Sequence, residues 1–157
     1  MALRHGVHLR RDGTYGVALA GAERDVLAAL PGQLREALAD DEPTLYRLFP
    51  PAYADDPAAN VEYHRLVGEG LVDGRLAALA ELERTAHAER LTEAELGAWL
   101  GALESLRLVL GTQLDITEES YAEPLDPDAP DAHRHALYHW LSWLQEEVVQ
   151  ALAGALE

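Results

Sequence analysis

The hydrophobic pattern changes period once, near residue 20, and that change constrains the fold more than any other feature. Val7-His8-Leu9-Arg10 and Tyr15-Gly16-Val17-Ala18-Leu19 alternate, the two-residue period of a strand with one buried face. Between them lies Arg11-Asp12-Gly13-Thr14, whose Asp-Gly supplies the positive φ that a tight turn needs. Residues 1–20 therefore read as a β-hairpin. A lone hairpin is marginal in water and must lie on something else. Beyond residue 20 the pattern is helical. The expected fold is mainly α: one domain, residues 1–157, with the hairpin packed on a bundle of five to six helices formed by residues 21–157.

Val26, Leu30, Leu34 and Leu38 fall on one helical face. Pro31-Gly32 interrupts them, and a kink or break is expected near Leu30 because proline has no N–H and clashes with the preceding turn. Thr44 to Phe49 reads as a short helical turn stopped by Pro50-Pro51. Asp55-Asp56-Pro57 reads as a helix start, with proline at the first helical position, and that helix should run through Leu66. Gly68 and Gly70 weaken the pattern. Val72, Leu76, Leu79 and Leu82 restart it toward Glu89. Thr92-Glu93-Ala94-Glu95 is a capping box. Behind it Leu96, Trp99, Leu100, Leu103, Leu106 and Leu110 form a stripe, with Gly111 placed to end the helix. Residues 117–130 form an acidic, proline-rich loop. A last helix from about Asp131 carries Leu137, Trp140, Leu141, Leu144, Val148, Ala151, Leu152 and Leu156.

Composition matters mainly for what it excludes. There is no cysteine and no lysine, so all 12 basic side chains are arginine. Thiol nucleophiles, Cys-ligated zinc, Schiff-base lysines and the phosphate-gripping lysine of a P-loop are ruled out within these residues. The formal net charge is −16. Residues 1–40 balance to zero, so the whole excess lies beyond them. That field repels nucleic acid and anionic membrane at long range and favours a basic protein partner. No apolar leader follows Met1, and no long apolar run exists, so a cytoplasmic location is expected.

Several side chains are candidates for a site. Arg107 falls within about 20° of the core direction set by Leu96, Leu100 and Leu103. An arginine there must be paired, with Glu104 and Asp115 as the available carboxylates. Its functional alternative is a bidentate grip on a partner's carboxylate or a ligand. Trp143 points about 120° away from the stripe of its helix. It either packs under the hairpin or the acidic loop, or stands exposed as an interface anchor. Tyr138 flanks the same helix. His135 and His139 lie one turn apart, a spacing that suits two imidazole ligands. They sit opposite the apolar stripe in no HExxH context, so no metal is assigned. His5, His8, His64 and His87 have no assignable partner. No nucleophile elbow, dinucleotide loop or phosphate loop occurs, so neither catalysis nor a cofactor is expected.

Three stretches carry a resemblance. They are Arg47-Leu48-Phe49-Pro50-Pro51-Ala52-Tyr53, Leu106-Arg107-Leu108-Val109-Leu110-Gly111-Thr112-Gln113-Leu114-Asp115, and Leu137-Tyr138-His139-Trp140-Leu141-Ser142-Trp143-Leu144-Gln145-Glu146. They resemble an uncharacterised actinobacterial family that includes the AosR oxidative-stress regulator, and the element order is similar along nearly the whole chain. The resemblance implies a non-enzymatic cytoplasmic regulator or adaptor that works through a protein partner, with an alternative sigma factor of the stress response as a partner class. It also brings a departure: the redox sensing suggested for that family relies on a cysteine pair, and no cysteine is present here. On this reading the partner-binding candidates are Trp143, Tyr138, Arg107 and Asp115. A homodimer through the Trp143 face is equally compatible with these residues. Two alternatives come from other classes. One is a DNA-binding regulator using the hairpin as a wing, with Arg4, Arg10, Arg11, Arg24 and Arg35 nearby. The other is a metal-dependent enzyme built on His135 and His139.

Overall fold

In the computed structural model, residues 4–40, 69–114, 128 and 130–156 are described here. The order of elements is β1 (Gly6–Leu9), β2 (Tyr15–Ala18), α1 (Gly21–Asp40), α2 (Glu69–Thr85), β3 (Arg90–Leu91), α3 (Glu93–Gln113) and α4 (Ala132–Gly154). The protein is mainly helical with an N-terminal antiparallel hairpin. Four helices occur among the described residues, against the five to six expected. The turn over 44–49 and the helix over 57–66 lie outside the described residues, as does nearly all of the 117–130 loop.

The hairpin pairs Val7 with Val17 and Leu9 with Tyr15. Its turn closes as the Asp-Gly pair requires. Gly13 takes φ 87°, the Arg10 N–H donates to the Thr14 carbonyl at 2.8 Å, and Asp12 accepts from the Thr14 hydroxyl at 2.6 Å. The sheet has a third strand that the sequence pattern did not reveal. Leu91 pairs with Tyr15 and Arg90 with Gly16, so β2 is central. Two residues are too few to display a period. They also follow directly on a stretch that read as helix to Glu89, whereas α2 stops at Thr85.

Helix α3 is the centre of the bundle. It packs on α2 and α4, while α1 rests on α2 and α3, and β1 lies against α4. Leu96, Trp99, Leu103, Leu106 and Leu110 are buried as the stripe predicts. The Trp99 indole N–H donates to Thr85 Oγ1 at 2.7 Å, and the Thr85 hydroxyl donates to the Glu81 carbonyl at 2.6 Å. The one polar atom of the largest buried side chain is thus satisfied. The capping box forms on both sides: the Thr92 N–H donates to Glu95 at 2.8 Å, and the Glu95 N–H to Thr92 Oγ1 at 3.1 Å.

Four expectations are corrected. Of the kink or break expected near Leu30, the break does not occur: helix α1 continues through Pro31, because burial of Pro31 and its neighbours Leu27, Leu30 and Leu34 outweighs one lost backbone bond. Its inward face uses Leu27, and Val26 is 38% exposed. Gly111 does not end α3, which runs on to Gln113. A β-carbon there would come within 3.2 Å of Tyr138 Cε2, so the glycine serves close helix approach. Leu156 lies beyond α4 and is exposed. None of the described helices is long and apolar enough to cross a membrane.

Candidate functional site

Two clusters converge on α4. The first is built on Arg107 of α3. Its Nε donates to Ser142 Oγ at 2.9 Å, and its Nη1 donates to Gln145 Oε1 at 2.9 Å. Its guanidinium carbon lies 5.3 Å from the centroid of the Tyr138 ring, a cation–π distance. The Ser142 hydroxyl is itself aimed by donation to the Tyr138 carbonyl one turn back, at 2.8 Å. Tyr138, Ser142 and Gln145 recur at helical spacing, so one face of α4 cradles one half-buried guanidinium. The predicted pairing with Glu104 does not occur, and Asp115 lies outside the described residues. Among the described residues no carboxylate pairs with Arg107. The physical reason is positional: Glu104 is exposed, while the guanidinium turns toward α4.

This cradle opens into a surface cavity of about 410 Å³, near the small end of ligand-pocket volumes. Arg107, His139, Ser142, Trp143, Gln145 and Glu146 line it. His139 is half-buried and its ring meets Tyr138 edge-on at 6.2 Å. The outward placement expected for His135 and His139 is thus corrected: both are half-buried. No group of three or more His, Asp or Glu that could hold a metal ion occurs among the described residues.

The second cluster involves Trp143 and the N-terminal strand. Trp143 is half-buried and stacks on His5, ring centroids 4.6 Å apart at 12°. It therefore packs beside the hairpin and also borders the Arg107 cavity. His5 Nε2 lies 2.8 Å from Glu23 Oε1. Glu23 accepts two further bonds, from the Ala20 N–H at 2.8 Å and from the Trp140 indole N–H at 2.7 Å. Burial pushes the Glu23 carboxyl up, but the donors at Ala20, His5 and Trp140 outweigh it and hold the carboxyl below the ordinary glutamate range. One carboxylate thus ties the start of α1 to His5, just before β1, and to α4. Spacing analysis missed it. The available signal was a glutamate three residues past Ala20 at a strand-to-helix junction, half of a capping box.

Arg24 was also missed as a structural residue. Its guanidinium donates to four backbone carbonyls: Leu19 at 3.3 Å, Val17 at 2.8 Å, Ala86 at 3.3 Å and Ala88 at 2.6 Å. Arg35 pairs with Glu83 at 2.7 Å, Arg4 with Glu147 at 3.7 Å, and Arg10 with Asp12 at 3.9 Å. Four of the five arginines proposed to flank a DNA-binding wing are therefore engaged within the protein. His87, which had no assignable partner in the sequence, lies 2.9 Å from Asp25.

A third feature is a groove of about 540 Å³ of mixed lining: Leu30 and Leu34 of α1, Leu106 of α3 and Leu137 of α4 meet Gln33, Gln113, His133 and Arg134 there.

Comparison with known proteins places the chain in a family. The family model described as Domain of unknown function (DUF2017) matches residues 4–152. The Oxidative stress regulator AosR of Mycobacterium tuberculosis is 33% identical over 131 residues, 73% of this chain and 60% of that protein. The protein of the same name from Mycobacterium bovis matches to the same extent. The Putative oxidative stress regulator AosR of Mycobacterium leprae is 33% identical over 129 residues, 71% of this chain and 59% of that protein. The chain thus spans about 60% of the length of the curated relatives it matches. No solved structure matches it.

Proposed function

The chain belongs to the family described as Domain of unknown function (DUF2017), and from that premise we propose that it is a cytoplasmic, non-enzymatic regulator whose α3–α4 face binds a protein partner. The relatives bear the name oxidative stress regulator, which supports a regulatory role. The observation that carries the interface reading is Arg107. A half-buried guanidinium is oriented by Ser142, Gln145 and Tyr138, yet no carboxylate among the described residues neutralises it. Trp143 adjoins it, and arginine and tryptophan are the residue types enriched at interface hot spots.

The partner class we propose is a sigma factor of the stress response. The net charge of −16 steers a basic surface toward this protein and repels nucleic acid. Thiol sensing has no place on these residues, since they contain no cysteine. Control then lies with the partner or with the amount of protein.

Calorimetric titration with purified stress-response sigma factors of the native host tests this. One of them should form a stoichiometric complex, weakened at least about tenfold by Arg107→Gln or Trp143→Ala. Treating this protein alone with the thiol oxidant diamide should leave the affinity unchanged. If none binds, or if both variants bind like wild type, the reading fails.

A further inference from the structure

The Arg107 cavity has a chemistry more specific than that of a general interface, and we infer that it is a receptor for a single carboxylate group. The guanidinium is fixed from three directions, by Ser142 on Nε, by Gln145 on Nη1 and by the Tyr138 ring beside it. Its Nη2 donates to none of the described residues. A pre-oriented planar fork with N–H groups to spare matches a carboxylate, and its orientation is already set before a ligand arrives.

Charge supports the same class. Arg35 meets Glu83, Arg84 meets Glu81 and Glu95, and Arg90 meets Asp12, while the part-buried Arg24 is held by four carbonyls. Arg107 lies on the core-facing stripe, where partial desolvation makes a counter-ion more valuable than at the surface, and it is given neutral partners instead. A carboxylate from outside would supply what the described residues withhold. A doubly charged phosphate fits less well. Glu146 stands on the rim, engaged by the Gln150 amide at 2.8 Å, and the whole chain is strongly anionic. The Trp143 side chain borders the cavity, so an apolar or aromatic body attached to the carboxylate has a surface to lie on.

The carboxylate can belong to a small free acid or to the end of a peptide, and one experiment separates them. The three tryptophans give three indole N–H signals in a ¹⁵N-labelled sample; Trp143→Phe and Trp140→Phe identify two of them, and the third is Trp99. Benzoate represents the free acid, with benzamide as its neutral counterpart. An acetylated tripeptide ending in phenylalanine represents the chain end, with its amidated form as control. The expected result is a saturable shift of the Trp143 signal with benzoate, the free-ended peptide or both. Affinity should fall at least about tenfold for the neutral counterparts and for Arg107→Gln. Arg107→Lys keeps the charge but loses the fork, and should also bind more weakly than wild type. The Trp99 signal, which reports the buried bond to Thr85, tells folded variants from unfolded ones.

Binding of benzoate alone assigns the site to free acids, and binding of the peptide alone assigns it to chain ends. Equal shifts with acid and amide would overturn the inference. So would wild-type affinity in Arg107→Gln with Trp99 unmoved, or no saturable shift by concentrations on the order of 10 mM. The inference concerns the same face as the proposed interface but not the partner's identity, so failure here leaves the sigma-factor titration to stand or fall separately.

Discussion

Glu23 and Arg24 are neighbours in sequence and hold different parts of the protein together. Arg24 stitches α1 to β2 and to the α2–β3 connection through four carbonyls. Truncating it leaves those carbonyls without their charged donor in a part-buried setting. Arg24→Ala should cost about 3 kcal/mol, which for a chain of this length is on the order of 10 °C in Tm. Thermal unfolding followed by circular dichroism checks this, and a loss within experimental scatter would remove Arg24 from the account. Glu23 makes a prediction about acid. Its folded pKa lies below that of the unfolded chain, so between the two values the folded state holds fewer protons and stability rises with pH. The contribution is complete at neutral pH and is lost as acid titrates the folded carboxyl. Glu95 acts with the same sign, lowered first by the Thr92 N–H and then by Arg84. Tm measured from neutral pH down into the acid range should fall, and Glu23→Gln should flatten part of that fall. An unchanged acid limb in the variant would contradict the assignment.

Elements were legible in the sequence where their causes are local. The capping box, the Asp-Gly turn and the stripe of α3 each depend on residues within a few positions of one another, and each is found where it was read. The box also gives a prediction: Thr92→Ala should cost about 1 kcal/mol, and Thr92→Ser much less. Urea unfolding of the two variants checks it. What escaped reading has distant causes. The carbonyls that Arg24 grips at Ala86 and Ala88 lie 62 and 64 residues away. The partners that turn Arg107 from Glu104 toward α4 lie 35 and 38 residues on. Strand β3 exists because the edge of β2 was open to it, a fact that no two-residue pattern carries. Pro31 misled for the complementary reason: the local cost was read correctly, and the packing of α1 overrides it. Of the candidate site, Arg107, Tyr138 and Trp143 were singled out from helical geometry, and Tyr138 and Trp143 each adjoin Arg107. The bond that joins Trp140 to Glu23 could not be seen from spacing.

At the scale of the molecule, the hairpin and the described helices bring the Arg107 cradle and the His5–Trp143 stack onto adjoining parts of α4. Around them is a chain whose charge attracts basic surfaces. Association with a basic partner should therefore slow as salt rises, because steering is screened over about 8–10 Å at physiological ionic strength. Stopped-flow rates at low and high salt would check this, and a salt-independent rate would argue that charge serves solubility alone. The central claim is that the α3–α4 face is where regulation is exerted. The most direct measurement is hydrogen–deuterium exchange of the protein alone and with a sigma factor that binds it. Protection concentrated around Arg107 and over His139–Val149 is the predicted result. Protection confined to the β1–β2 hairpin, with α4 exchanging as in the free protein, would contradict it.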